Sequence, residues 1–366
     1  MQRGPCTANA VEARLAPAAV IVAACLITSC AGGARDIDPS VHDFETGSDA
    51  QLVGLSVVDS NVWWIGGMRG TVLRTLNGGS SWRVFTLPGA DSLQFRDVRA
   101  FDGDRAYALS IGPGEKSRIY YTEDGGERWS KQWVNQDPEG FFDCFDFWTP
   151  DAGLAMGDAN GGRIAILGTV DGTSWARLPA EQIPRALGSE GGFAASGTCL
   201  VAAGDSTAWI ATGSPEGSRV YRTRNRGRSW DVSDVGFSKG MEAAGLMTLA
   251  FRNLEHGFTA GGVLSRPDDK WSNLMETRDG GVTWTLMDGP QLPNVYGLAV
   301  SPGSVTSTIL AVGPKGMDVS TDDGRSWRSL DKRNYWSVQF VDENTAVAVG
   351  PAGRVSRVSF STDLTR

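Results

Sequence analysis

One short stretch returns along the chain and constrains its fold more than any other feature. Thr277-Arg-Asp-Gly-Gly-Val-Thr-Trp284 recurs as Thr75–Trp82, Thr122–Trp129, Thr223–Trp230 and Ser320–Trp327, and a copy one residue short runs from Thr169 to Trp175. The closing tryptophans stand 47, 46, 55, 54 and 43 residues apart. Each copy reads as a hairpin turn between two strands. The side-chain oxygen of Asn77, Asp124, Asp171, Asn225, Asp279 or Asp322 accepts hydrogen bonds from its own turn, and glycine supplies the positive φ. Trp82, Trp129, Trp175, Trp230, Trp284 and Trp327 then bury a large ring beside each hairpin. A period of this length built from strands and turns means a repeat architecture, and for β units a propeller. Six similar turns cannot all form one active site, so their acidic residues read as structural rather than as Ca²⁺ or sugar ligands.

Strand patterning counts the units. Seven apolar strands align on Leu55, Val98, Phe145, Leu200, Leu249, Leu298 and Val338, each with a second apolar residue two positions on. Second strands end in glycine, as at Gly66, Gly157, Gly213, Gly261, Gly313 and Gly350. The seventh unit, 334–360, has no recurring turn and no fourth strand, and a blade without its outer strand leaves a hazardous edge. The segment Val41–Thr46 is free to supply that strand. The expectation is an all-β, seven-bladed propeller of four-stranded antiparallel blades closed by an N-terminal strand. A six-bladed ring with a discarded C-terminal piece is the alternative.

The pattern Ser/Thr-x-Asp-x-Gly-x-Ser/Thr-Trp resembles the Asp-box of the bacterial-neuraminidase-type repeat, found in sialidases, sortilin-type receptors and photosystem II assembly/stability-factor propellers. Asn77, Asn225, Arg128 and the shortened third copy depart from it. Gly70–Thr75, Phe95–Asp97, Phe141–Cys144, Met156–Asp158 and Ala194–Thr198 look like a lipoprotein branch of the photosystem assembly-factor type. The resemblance covers residues 41–366 and implies a fold more than an activity. No Gly-x-Gly-x-x-Gly opens a helix after a strand, which argues against a dinucleotide cofactor; none is expected.

Arg3 and Arg14 precede a short apolar run that ends in Leu26-Ile-Thr-Ser-Cys30, the form of an export signal. Ile27–Cys30 resembles a bacterial lipobox, which implies a leader over 1–29, a lipid on Cys30 and a tether over 30–40. Ala31 beside that cysteine leans toward the outer membrane if the cell has one. The propeller then occupies 41–366, exported and facing periplasm or cell exterior. Without the leader, 32 basic and 41 acidic residues give a net charge of −9, which argues against nucleic acid as the main ligand.

Loop lengths sort the two faces. Turns between first and second strands are short and share a face with the recurring turns. The other face carries 111–117, 135–140, 157–162, 179–192, 233–244 and 262–273, and long loops on a rigid scaffold are where binding usually lives. At the axial end of that face the candidate binding residues are Arg96, Asp97, Asp143, Asp158, Thr198, Tyr296 and Trp336. Small and polar residues there also suit seven crowded strands around a wet channel. Cys144 and Cys199 occupy equivalent places in adjacent blades. A disulfide is open to them, but neighbouring inner strands look too far apart for the needed Cα spacing, so two buried free thiols are expected.

With only His42 and His256, Ser-His-Asp chemistry and a metal centre have almost no material, and no catalytic or metal-binding residue is assigned. The Phe/Tyr-Arg-Ile-Pro motif that opens the sialidases is missing. The expected function is a lipid-anchored, non-catalytic, monomeric propeller binding a protein or peptide on its long-loop face. The alternative is an envelope glycoside hydrolase or lyase working through Asp143, Asp158 or Glu190.

Overall fold

A computed structural model of the protein describes Met1 and residues 37–303 and 307–362; the expected leader and Cys30 lie outside them. The strands form seven sheets of four antiparallel strands each, and successive inner strands contact one another around a closed ring. The inner strands are Leu52–Val57, Gln94–Ala100, Phe142–Thr149, Leu200–Ala203, Ala244–Phe251, Gly297–Val300 and Ser337–Asp342. These define blades 1 to 7, so the six-bladed alternative falls.

The outer strand of blade 7 is the N-terminal segment Ile37–Phe44, antiparallel to Val355–Thr362 with Ile37 opposite Thr362 and Phe44 opposite Val355. It begins inside the stretch expected to be tether, four residues ahead of Val41. Pro39 is compatible with pairing there because an outermost strand leaves one edge free of ladder bonds.

The core lies between blades rather than in one centre. Each residue of the aligned layer Leu55, Val98, Phe145, Leu200, Leu249, Leu298 and Val338 is at most 9% exposed. Two residues further on, Val57, Ala202, Phe251, Val300 and Phe340 are only half-buried, because the ring flares there toward solvent.

The recurring turns bond blades together. In the fifth blade, Thr277 Oγ1 donates to Asp279 Oδ1 at 2.8 Å and accepts from Gly281 N at 2.8 Å, while Thr283 N and Oγ1 reach the Asp279 carboxylate at 2.9 and 2.6 Å. Arg128 replaces the usual hydroxyl and donates through Nε to Asp124 at 2.8 Å, which holds that carboxyl down at about 2. In the three turns with paired glycines the second one abuts the preceding blade. A Cβ on Gly79 (φ 88°) would strike Phe44, and one on Gly126 (φ 88°) would meet Phe85. The tryptophans fill the same seam: Trp129 lies edge-on to Trp64 at 6.1 Å. The short turns between first and second strands sit on this face too, since Gly78 N donates to Asn61 O at 2.9 Å and Gly280 N to Glu255 O at 2.8 Å.

The expectation of two free thiols is overturned. Cys144 and Cys199 form a disulfide with Cα atoms 6.1 Å apart, inside the range a bridge needs. Converging strands bring the two blades closer at the axis than a sheet-to-sheet spacing suggests. Neither sulfur-bearing residue is exposed. The Cys144→Ala/Cys199→Ala chain is expected to fold but to lose about 2–4 kcal/mol in urea denaturation, since the bridge closes a long loop. Trp209→Ala, which removes a buried ring stacked on Phe251 at 3.7 Å, is expected to cost about 3–5 kcal/mol.

Candidate functional site

The axial end of the long-loop face is built from β-bulges. In blades 1, 2, 3 and 5 the ladder between first and second strands skips one residue, and those residues are Val53, Arg96, Asp143 and Met247. A bulge re-aims a side chain, here toward the axis. Thr198, Tyr296 and Trp336 hold the equivalent places in blades 4, 6 and 7. The sequence-derived candidates therefore do gather at one level of the ring, but no open mouth lies between them.

The chain itself occupies that mouth. Residues 191–198, leading into blade 4, cross the axis. Gly191 pairs with Gly213, Ala194 O accepts from Arg96 Nη1 of blade 2 at 2.9 Å, and Ser196 O accepts from Ser337 Oγ of blade 7 at 3.3 Å. Thr198 and Thr248 hydroxyls meet at 2.7 Å, and Cys199 fixes the end of the crossing through its disulfide. Gly197 (φ 80°) sits against the Asp97 carboxyl with no room for a Cβ. In the sequence the long loop ends at Gly192, Ala194–Thr198 carries only a family resemblance and Thr198 is a candidate, so the crossing of the axis was missed. The run of small residues Ala194-Ala195-Ser196-Gly197 was the available signal, since bulkier side chains would not pass the axis.

The candidates take three different roles around this plug. Asp97 is 6% exposed and accepts from Phe145 N of the next blade at 2.8 Å; burial pushes its carboxyl well above the ordinary range despite that bond. Arg96 stacks on Trp336, its guanidinium carbon 4.8 Å from the ring centre, and Tyr296 lies 4.9 Å from the same ring. These three side chains are half-buried and stay at the edge of the plug. Asp143 and Asp158 lie beneath it and interact directly. Gly192 N donates to Asp158 Oδ1 at 3.1 Å, and Ala194 N donates to Asp143. Among the described residues Asp143 Oδ2 has no hydrogen-bond partner, and the nearness of Asp158 disfavours two negative charges on the pair. Burial, then the neighbouring Asp158 charge, lifts Asp143 well above its ordinary range; burial pushes Asp158 up to about 6.

Glu190, the other carboxylate considered for hydrolysis, is 1% exposed and already satisfied by Thr212, Arg219 and Tyr221. His256 bonds Glu276 at 2.7 Å in a short turn of the opposite face. Among the described residues no three His, Cys, Asp or Glu side chains gather as metal ligands.

Beside the plug, four of the long loops surround a cleft of about 440 Å³. Glu139, Asp158, Ser189 and Glu242 line it from different loops, and the half-buried ring of Phe193 forms part of its wall. Among the described residues neither Glu139 nor Glu242 is paired with a basic side chain.

Because burial raises both members of the carboxyl pair above the 3.8 of an unshifted aspartate, the folded chain binds more protons than the unfolded one above pH 4. Stability is therefore expected to fall as pH rises through 4 to 6, by on the order of 2 kcal/mol for Asp158. In Asp158→Asn, which leaves one carboxyl of the pair, that fall is expected to flatten. Urea midpoints of the two chains across pH 4–8 measure it.

No protein-family model matches the chain, and no curated protein matches its sequence. Solved structures do resemble it. A structure of YCF48 bound to a D1 peptide is 17% identical, superposes over 87% of this chain and 94% of that one, and gives a TM-score of 0.62. YCF48 from Cyanidioschyzon merolae is 15% identical over 87% and 98% of the two chains, with a TM-score of 0.63. A streptogramin B lyase is 12% identical over 90% and 99%, with a TM-score of 0.62. What the chain shares with these proteins is the fold, a seven-bladed β-propeller.

Proposed function

We propose that this propeller is a non-catalytic binding protein that takes a protein or peptide partner on its long-loop face, held to a cell-envelope membrane by a lipid on Cys30. The observation that carries the reading is the meeting of four long loops around one cleft, next to an axis that is closed. A peptide fits such a cleft as an extended segment. Its charge calls for a basic residue: Glu139 and Glu242 stand without basic partners, and Phe193 offers a ring to a cation. A structural relative, YCF48, has been solved with a D1 peptide, which supports peptide binding as a use of this fold.

Hydrolysis by the channel carboxylates fits less well. Glycosidase pairs stand about 5–5.5 Å or 6.5–9.5 Å apart with substrate between them. Asp143 and Asp158 instead interact directly with each other, and Asp143 is 2% exposed beneath Gly192. The recurring turns act as Asp-box-like seams between blades in this reading, with no part in chemistry.

Cross-linking in native envelopes followed by mass spectrometry tests the proposal. The joint Glu139→Lys/Glu242→Lys variant is expected to cut partner capture at least ten-fold with an unchanged unfolding midpoint. Turnover of a glycoside panel that disappears on changing Asp143 and Asp158 to Asn would overturn it. Cys30→Ala is expected to move the protein from the membrane to the soluble fraction.

A further inference from the structure

The plug turns the axial channel into a blind chamber. Its volume is about 340 Å³, and it is bounded by inner strands of all seven blades. Its floor is polar: Ser196, Gly197 and Thr198 of the plug lie there with Ser337 and the Asp97 carboxyl. Above the floor comes the apolar layer that runs from Leu55 round to Val338, one residue per blade. The wider end faces the recurring-turn side, where Ala202, Phe251, Val300 and Phe340 are half-buried and where Arg99 and Asp146 stand as an ion pair at 3.4 Å.

We propose that this chamber is a binding site for a small neutral amphiphile, with an apolar body of roughly a dozen heavy atoms and a hydroxyl head, admitted from the recurring-turn face. The size follows from comparison with a cavity of about 150 Å³ that accommodates benzene, half the space available here. The head follows from the floor, where the Ser337 and Thr198 hydroxyls and the Asp97 carboxyl group offer hydrogen-bonding atoms. Burial disfavours charge on Asp97, and no basic side chain lines the floor to balance an anionic head. At the mouth Arg99 and Asp146 neutralise each other, and Asp146 also accepts from Ala202 N at 2.8 Å. A charged ligand would be desolvated without a counter-charge at either end. Water alone satisfies the floor but finds no partners along the apolar layer.

The site is independent of the peptide cleft, which lies on the other side of the plug. The test uses the purified full chain and 1-naphthalenemethanol, whose twelve heavy atoms match the expected size (~12). Saturable one-to-one binding is expected by fluorescence titration, with naphthalene-1-carboxylate at least ten-fold weaker. Methyl NOEs from the naphthyl protons to Leu249, Leu298 and Val338 are expected to locate the probe without any substitution. Ala202→Phe in blade 4 and Val300→Phe in blade 6, both placed at the mouth, are each expected to weaken binding at least ten-fold while thermal unfolding stays cooperative. Absence of saturable binding, equal binding of the carboxylate, or NOEs confined to other methyl groups would each overturn the proposal. So would unchanged affinity in either folded mouth variant.

Discussion

Each inner strand reaches the axis with one edge that no other strand pairs, and the N–H groups there still need acceptors. Side chains of the preceding blade provide them. Ser56 Oγ accepts from Ala100 N at 2.9 Å, Asp97 from Phe145 N at 2.8 Å, Asp146 from Ala202 N at 2.8 Å, Thr248 Oγ1 from Leu298 N at 3.0 Å and Gln339 from Val57 N at 2.8 Å. Between blades 4 and 5 the plug does the same through a carbonyl, with Leu249 N bonding Thr198 O at 2.9 Å. The ring thus holds together by side chain-to-backbone staples at its narrow end and by tryptophan-filled seams further out. Asp97, in a polar position near a channel, is one of these staples.

That arrangement marks how far the sequence could be read. The spacing of Trp82 through Trp327 and the aligned layer from Leu55 to Val338 are local signals, repeated in every unit, and they carry the blade number and the ring. The missing outer strand of the last blade was legible for the same reason, although its replacement starts at Ile37 rather than Val41. The Cys144–Cys199 bridge and the axial crossing were not, because both depend on the distance between blades at the axis. No window of sequence contains that distance. The candidate residues Arg96, Asp143, Thr198, Tyr296 and Trp336 were found as a set because they share a place in the repeat. What each one does was hidden, since the bulges that aim Arg96 and Asp143 and the loop that crosses the axis belong to different blades.

The plug also explains why two carboxyls are tolerated side by side in a buried place. Gly192 N and Ala194 N supply donors from above, Arg96 adds a positive charge nearby, and a retained proton spares the pair from facing each other as two anions. Their environment resembles that of catalytic dyads in its physics, yet their backbone donors come from the loop that covers Asp143. A strongly displaced carboxyl is therefore weak evidence for catalysis in a propeller whose axis is filled by its own chain.

The pairing of Ile37–Phe44 with Val355–Thr362 has a consequence for assembly. Contacts between the first and last strands have the largest sequence separation in the ring, so their loop-closure entropy is met last. Until the final strand has emerged from the machinery that synthesises or exports it, the growing array of blades is an open arc with an adhesive edge at each end. Such an intermediate is vulnerable to joining a second copy of itself, and ring closure competes with that encounter at every concentration.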